Sequence, residues 1–187
     1  LSKEDAAMLA RATSTIVNQV DAMKAMVNEF SEYARAPAAN MIKINLNKLI
    51  QDVSGLYENS HAKITYDLAE KLPDLLGDST MLRQVLHNLM QNAQDALEGH
   101  ATPEVTVKTH WDDIIVYLEV SDNGQGFAEK VLVNPYEPYV TTKAQGTGLG
   151  LAIVKKMVEE HAGQVSITNN IAGGACIRIQ LPVTKEV

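Results

Sequence analysis

The chain has 187 residues, 45% of them hydrophobic and 21% charged, which is enough for one domain with a core and an appended element. Acidic residues outnumber basic ones by 23 to 16, and the formal net charge of -7 argues against nucleic acid as a partner. The single cysteine, Cys176, excludes an internal disulfide and a cysteine-rich zinc site. The longest nearly unbroken apolar stretch, residues 114–118, is far too short to span a bilayer, so we expect no membrane contact by this chain.

Residues 1–36 carry a heptad pattern that predicts one long helix. Its residues recur at spacings of four and three, as in the seam of a coiled coil or helix bundle: Leu9, Thr13, Ile16, Val20, Met23, Val27, Phe30 and Ala34. Pro37 ends the pattern. The alternative is a helix that folds back on its own domain, but a continuous stripe roughly 50 Å long favours partner helices. Because the chain opens at Leu1 directly in this helix, we expect a piece of a longer protein.

From residue 41 onward, the apolar periodicity switches repeatedly between that of strands and that of helices. It predicts strands at 42–46, 62–68, 105–110, 114–120, 165–169 and 176–181. It predicts helices at 46–56, 79–98 and 148–161, with Ser79 as the cap of the second. Strands and helices mix without strict alternation, so we predict an α+β fold, a two-layer α/β sandwich with helices on one face of a mixed sheet.

Two asparagines interrupt the leucine-rich helix predicted at 79–98. Asn88 and Asn92 are four residues apart and therefore share a face, and Asp95 follows three residues later. An amide oxygen is a hard, neutral ligand suited to Mg²⁺, which keeps waters and nucleotide phosphates as its other ligands. A pair of solvated surface amides would give the same pattern, so this motif alone leaves the choice open.

An acidic residue and two glycines follow the strand predicted at 114–120. Asp122, Gly124 and Gly126 place a carboxylate beside a backbone that can bend and approach a ligand closely. Such a carboxylate can accept a hydrogen bond from an amino group, for example that of adenine. A tight turn stabilised by the aspartate side chain is the alternative interpretation.

Glycines also precede the last predicted helix, in the sequence GTGLG at residues 146–150. Glycines before a helix N-terminus leave backbone amides free at the positive end of the helix dipole, which suits a phosphate. The pattern is neither a P-loop nor the dinucleotide-binding fingerprint. A flexible hinge is the alternative.

Taken in order, these motifs resemble the nucleotide-binding boxes of sensor histidine kinases. LHNLMQNA at 86–93 resembles the N box, DNGQG at 122–126 the first glycine box, YEPYVTTK at 136–143 the F box, and GTGLG the second glycine box. The resemblance implies the Bergerat (GHKL) ATP-binding fold for residues 41–187, with a mobile lid within 122–147. It further implies that residues 1–37 are the second helix of the family's dimerisation hairpin, most similar to that of the nitrogen-regulation sensors.

The resemblance also assigns roles to individual residues. Asn92 would be the main Mg²⁺ ligand, Asn88 a second polar contact near the phosphates and metal, and Asp122 the reader of the adenine amino group. Lys143 would contact the γ-phosphate, although a solvated loop lysine is the alternative, and we count it with Asn88 and Asn92 as catalytic. The remaining predicted nucleotide contacts are Asp95, Gly124, Gly126, Tyr139, Thr142, Gly146, Thr147, Gly148, Leu149 and Gly150. The cofactors implied are ATP and Mg²⁺.

The sequence departs from the family pattern in three places. Tyr136 and Tyr139 replace the F-box phenylalanines, a change that should leave lid packing intact. Ala175 and Cys176 stand where a threonine often follows the last glycine pair, which puts one hydrogen bond near the adenine in doubt. None of the five histidines lies in a His-Glu-x-x-Pro motif: His61, His87, His100, His110 and His161. We expect the phospho-accepting histidine to lie outside this chain, and His161 to be a cation at a helix C-terminus.

The resemblance implies transfer of the ATP γ-phosphoryl to a histidine and then to an aspartate of a response-regulator receiver domain. It also implies a homodimer formed through the helical hairpin, and a cytoplasmic location with the parent protein anchored in the membrane. One rival is a GHKL ATPase or Ser/Thr kinase; hydrolytic members place a Glu where Asn88 stands, and a neutral amide cannot take a proton from water. The other rival is a degenerate kinase that acts as a dimerising scaffold.

Overall fold

The computed structural model describes residues 3–34, 39–141, 143 and 146–183. The helices are α1 (Lys3–Ala34), α2 (Leu46–Ser54), α3 (Ser79–Ala96), α4 (Glu129–Val133) and α5 (Gly150–Glu160). The strands are β1 (Ile42–Ile44), β2 (Lys63–Leu68), β3 (Leu75–Gly77), β4 (Glu104–Trp111), β5 (Ile115–Asp122), β6 (Gln164–Asn169) and β7 (Ala175–Pro182). A single 3₁₀ turn, Gly55–Tyr57, follows α2.

Five strands form the main sheet in the order β2-β4-β5-β7-β6. The pair β2–β4 is parallel and the other three pairs are antiparallel. Strands β1 and β3 form a separate two-stranded antiparallel sheet, with Ile42 opposite Gly77. Helices α3 and α5 pack on one face of the mixed sheet, so the predicted two-layer α/β sandwich is confirmed.

One face of the sheet and one stripe of α3 form the core. In β5, residues on the helix side are buried and their neighbours along the strand are half-buried, as the alternation of side chains across a sheet requires. The buried stripe of α3 consists of Met81, Leu82, Val85, Leu86, Leu89, Met90 and Ala93. Each fully buried Leu or Val contributes about 1.5–3 kcal/mol. This packing fixes the rotation of α3 about its own axis, and therefore the side of the helix on which its polar residues lie.

The N-cap of α3 lies one residue earlier than predicted. Asp78, not Ser79, is the N-cap: its Oδ1 accepts hydrogen bonds from the amides of Thr80 at 2.8 Å and Met81 at 3.1 Å. One carboxylate oxygen here satisfies two of the helix's free amides, whereas Ser79 is the first helical residue. The prediction of Ser79 as the cap is therefore wrong.

Two short elements, β3 and α4, were not predicted. Strand β3 has three residues and depends on its pairing with β1. Helix α4 lies within the segment predicted as a loop, and its N-cap, Ala128, makes no side-chain capping bond. Both elements are too short to show a period in the sequence, so only their contacts with the rest of the domain define them.

The end of α5 corrects a second prediction. His161 follows the helix and is only 5% exposed. Its Nε2 accepts a hydrogen bond from the Asp78 amide at 2.9 Å, and its Nδ1 lies 2.6 Å from the carbonyl oxygen of Met157. A nitrogen that accepts a hydrogen bond carries no proton, so the ring is neutral with its proton on Nδ1. The expectation of a cation at this position is wrong.

Helix α1 leaves its predicted seam exposed. Leu9, Ile16, Val20, Met23 and Val27 each expose more than half of their surface, so this part of the stripe does not fold back on the domain. The predicted connector at Pro37 lies outside the described residues. Within the part of the chain that the structure describes, no helix has both the length and the apolarity that crossing a bilayer requires.

Candidate nucleotide-binding site

The polar side of α3 presents the two predicted asparagines, both half-buried, one turn apart. Nδ2 of Asn88 is buried and has no hydrogen-bond acceptor among the described residues. A buried amide donor without an acceptor costs about 1–3 kcal/mol. An oxygen of a bound ligand would satisfy it, so this orphan donor fits the predicted position beside a phosphate.

Lys143 bonds to the same side of α3 from a distant part of the chain. Its ammonium Nζ lies 3.0 Å from Oδ1 of Asn92 and 2.7 Å from Oδ2 of Asp95. Nε2 of Gln91 donates to the other carboxylate oxygen of Asp95 at 2.7 Å. The structure therefore brings three predicted site residues into direct contact, and adds Gln91, which was not among the residues predicted from sequence motifs.

Asp122 is the last residue of β5, and the residue as a whole is 9% exposed. Oδ1 accepts hydrogen bonds from the amides of Gly124 at 2.9 Å and Ala175 at 3.3 Å. Burial raises the pKa of this carboxyl, and the two amides and the charge of Lys143 oppose that rise. Among the described residues, none donates a hydrogen bond to Oδ2, which leaves an acceptor for a ligand amino group.

Gly124 joins the Asp122 loop to the end of α3. A Cβ on Gly124 would lie 2.5 Å from the carbonyl oxygen of Ala96, so only glycine permits this approach. Asn169, outside the predicted site, holds the next part of the loop: its Oδ1 accepts from the Phe127 amide at 2.7 Å. These contacts place the predicted adenine reader at the same end of α3 as Asp95.

The backbone amide of Ala175 donates a hydrogen bond to Oδ1 of Asp122 at 3.3 Å, although this corner lacks the threonine hydroxyl often found in the family. Asn170 supports the same corner, since its Nδ2 donates to the Asp122 carbonyl oxygen at 3.3 Å. The sequence signal for this corner was the pair Gly173 and Gly174, both with positive φ in the turn before β7. The residue that replaces threonine therefore still contacts Asp122, through its main chain.

The second glycine box runs from the F box into α5. Gly148 has φ +71°, and a Cβ there would lie 2.6 Å from the carbonyl carbon of Tyr139. Leu149 caps α5 without a side-chain hydrogen bond, and its own side chain is buried, so only its main chain can contact a nucleotide. A Cβ on Gly150 would lie 3.8 Å from Nδ2 of Asn92. The N-terminus of α5, with Gly146 and Thr147 before it, therefore faces the N-box side of the site.

The two F-box tyrosines behave differently. The Tyr136 hydroxyl donates to the Val165 carbonyl at 2.7 Å, and the Lys155 ammonium lies 5.3 Å from the Tyr136 ring centre. Tyr139 is 58% exposed with φ +69°, and its amide donates to the Gly148 carbonyl at 3.2 Å. Tyr136 is thus half-buried and held by its hydroxyl group, whereas the side chain of Tyr139 is exposed. Thr142, also predicted to contact the nucleotide, lies outside the described residues.

The donor set for a metal ion consists mainly of amides. Among the described residues, no group of three or more His, Cys, Asp or Glu side chains could hold a metal ion. Asn88 and Asn92 offer neutral oxygens, and Asp95 adds one carboxylate nearby. Such a set suits Mg²⁺ that arrives with phosphate ligands of its own rather than a resident metal ion.

Residues 77–185 match the family model of histidine kinase-, DNA gyrase B- and HSP90-like ATPases. This match covers more than half of the chain, and the chain therefore belongs to that family. A sensor histidine kinase described as NtrY-like from Rickettsia conorii is 35% identical over 167 residues, which are 88% of this chain and 28% of that protein. The nitrogen regulation protein NtrY of Azorhizobium caulinodans is 32% identical over 188 residues, 95% of this chain and 24% of its own length.

Solved structures of histidine kinases share the fold. Full-length ShkA in complex with AMPPNP has a TM-score of 0.76 and 26% identity, and the match covers 95% of this chain and 40% of that one. ThkA in complex with the response regulator TrrA also has a TM-score of 0.76, with 25% identity over 94% of this chain and 52% of that one. The chain spans about a quarter of the length of the NtrY relatives.

Proposed function

We propose that this chain is the ATP-binding catalytic region of a sensor histidine kinase. It transfers the γ-phosphoryl of ATP to a histidine on another segment, from which an aspartate of a response regulator receives it. The observation that carries the proposal is the convergence of Asn92, Asp95 and Lys143 at one side of α3. Burial raises the pKa of Asp122, and the Lys143 charge opposes that rise. A phosphate-binding end and an adenine-binding end thus form one site.

Adenine recognition is assigned to Asp122. Its Oδ1 is held by two backbone amides, so the carboxylate cannot rotate freely, and Oδ2 would accept the adenine amino group. A hydrogen bond to a charged acceptor contributes about 1.5–3 kcal/mol. Guanine has a carbonyl oxygen at the corresponding position, which the carboxylate would repel. This residue would therefore select ATP over GTP.

Asn92 and Asn88 are assigned to the phosphate end. Asn92 would hold Mg²⁺ through its amide oxygen, and the orphan Nδ2 of Asn88 would donate to a phosphate oxygen. Bound Mg²⁺ would neutralise part of the triphosphate charge. The free amides at the N-terminus of α5 and the Lys143 ammonium would bind the outer phosphates. These groups position the γ-phosphoryl for attack by the acceptor.

Hydrolysis by a GHKL ATPase, or phosphorylation of Ser or Thr, is the second candidate function. Asn88 disfavours hydrolysis because an amide cannot act as the general base for water. The similarity to NtrY and NtrY-like proteins favours the histidine kinase over both. A degenerate scaffold is the third candidate, and a nucleotide-binding titration would decide between it and the kinase.

Two partners follow from the proposal. The exposed seam of α1 would pack against helices of a second copy, which gives a homodimer. A response-regulator receiver domain would be the other partner, as ThkA is seen with TrrA. A cytoplasmic location is expected because ATP is the proposed donor. That location, and the membrane anchor of the parent protein, remain predictions.

Calorimetry of ATP binding tests the proposal. Wild-type chain should bind Mg-ATP, and Asn92→Ala should weaken binding about tenfold in Mg²⁺ but leave it unchanged in EDTA. Asn18→Ala is the matched control, since Asn18 is an exposed asparagine on another helix. Equal losses with and without Mg²⁺ would remove the metal role of Asn92, and no ATP binding by the wild type would refute the proposed function.

A further inference from the structure

The contacts of Lys143 go beyond the role assigned to it above. Its ammonium is bonded to the amide oxygen of Asn92, the atom proposed to hold Mg²⁺, and to a carboxylate oxygen of Asp95. A positive charge therefore already occupies the place where the divalent cation would be held. An ammonium group and a metal ion bound to the same amide oxygen would repel each other, because both carry positive charge.

The carboxylate of Asp95 is held in the orientation that contacts Lys143. One of its oxygens accepts from Nε2 of Gln91 and the other from Nζ of Lys143, both at 2.7 Å. Gln91 lies one turn before Asp95 on the same helix, so the carboxylate is oriented by α3 itself. Asp95 is also a predicted nucleotide contact, and these hydrogen bonds give it a further role as the partner that holds Lys143.

We propose that, in the nucleotide-free protein, the Lys143 ammonium occupies the cation position at the Asn92 amide oxygen and that Asp95 is the positioning residue that holds it there. The identity of the displacing ligand, a magnesium nucleotide, rests on the proposed function. When Mg²⁺ arrives with its phosphates, it takes the Asn92 oxygen, and the released ammonium becomes free to pair with a phosphate. A divalent ion alone brings no phosphate to receive the ammonium, so it displaces Lys143 poorly.

The pair differs from the other exposed ion pairs of the described chain. Lys108 and Asp67, for example, lie 2.8 Å apart on the open face of the sheet and are more exposed than Lys143 and Asp95. Exposed pairs of this kind contribute little to stability. Lys143 is set apart because its ammonium also takes the amide oxygen of a proposed metal ligand. The Lys108 pair therefore provides a matched control in which the same charge is removed elsewhere.

Binding of Mn²⁺ alone, measured by electron paramagnetic resonance without nucleotide, tests the inference. Lys143→Met should bind Mn²⁺ at least about fivefold more tightly than wild type, because Asn92 and Asp95 are both released and a like charge is removed. Lys108→Met should match wild type. Adding Asp95→Asn to Lys143→Met should abolish the gain. Equal Mn²⁺ affinities of Lys143→Met and Lys108→Met would overturn the inference.

A second measurement does not depend on metal. The Asn92 side-chain amide signals in a ¹⁵N NMR spectrum should shift in Lys143→Met and in Asp95→Asn, but not in Lys108→Met. Unshifted signals in the first two variants would also overturn the inference. The Mg-ATP titration of the wild type decides the proposed function separately, since neither measurement here contains nucleotide.

Discussion

The imidazole Nε2 of His161 accepts a hydrogen bond from the backbone amide of Asp78, at 2.9 Å, although 83 residues separate the two. Asp78 caps α3 and also accepts, through Oδ2, the amide of Asn40 at 2.8 Å. His161 follows α5. One buried side chain thus joins the C-terminal end of α5 to the N-terminal end of α3, the two helices of the candidate nucleotide site.

His161→Ala should lower the free energy of unfolding by about 2–4 kcal/mol. The substitution leaves the Asp78 amide without an acceptor and opens a cavity beside Gly77, whose Cβ position lies 3.0 Å from the ring. Urea denaturation measures the change, with His61→Ala, at an exposed position, as the control. A decrease in the free energy of unfolding no larger than that of His61→Ala would show that the hydrogen bond between Asp78 and His161 does not stabilise the fold.

Asp122→Asn should keep the fold and lose the nucleotide. Oδ1 of the asparagine still accepts from Gly124 and Ala175, but the second position becomes an NH₂ group, which repels the adenine amino group. Affinity for ADP should fall about ten- to a hundredfold, and the preference for adenine over guanine should relax. Calorimetry with ADP and GDP checks both effects; an unchanged preference would remove Asp122 as the adenine reader.

Stability and nucleotide affinity should depend on pH in opposite directions through Asp122. Burial raises the pKa of its carboxyl, so between the ordinary aspartate pKa, about 3.9, and the raised value the folded protein binds more protons than the unfolded chain. The free energy of unfolding therefore falls as the pH rises through this window, whereas ADP affinity increases because the ionised carboxylate is the better acceptor. Urea midpoints and ADP affinities measured against pH check this, and Asp122→Asn should lack both contributions.

Val20→Glu should dissociate any dimer formed through α1. It places an unpaired charge in the seam, at a cost of several kcal/mol when buried in a partner interface. Gln19→Glu adds the same charge at an exposed position outside the heptad pattern and serves as the control. Light scattering should show the lower mass only for Val20→Glu, with ADP binding retained. If the wild type is a dimer and Val20→Glu keeps the same mass, the dimer interface does not lie along this seam.

This chain alone should bind ATP but not phosphorylate itself. None of its five histidines is followed by Glu in the acceptor pattern, and His161 is buried. Adding a helical hairpin that carries an acceptor histidine should restore transfer, though weakly, because a separate protein lacks the effective concentration of a tethered one. Radiolabelled ATP with and without the hairpin makes the measurement. Acid-labile label on the chain alone would identify one of these histidines as an acceptor.

The sequence alone predicted the fold class, which the structure confirms, and proposed a set of site residues. Strand and helix periods, together with four motifs in family order, predicted the sandwich and brought Asn92, Asp122 and Lys143 into one hypothesis. Periodicity and glycine spacing are local properties, so they can be read from the sequence without knowledge of the packing. The elements they missed, β3 and α4, have three and five residues and no period to read.

Only the tertiary structure decided how distant side chains divide their hydrogen bonds. Lys143 reaches Asp95 across 48 residues, and His161 is neutral because a backbone amide from another helix end points at its nitrogen. The cap of α3 is likewise set by a contact between distant residues. Asp78, not Ser79, is the cap, and its second carboxylate oxygen accepts a hydrogen bond from the Asn40 amide. A side chain's charge state and partners depend on which groups the packed layers bring within about 3 Å, and no local pattern in the chain contains that distance.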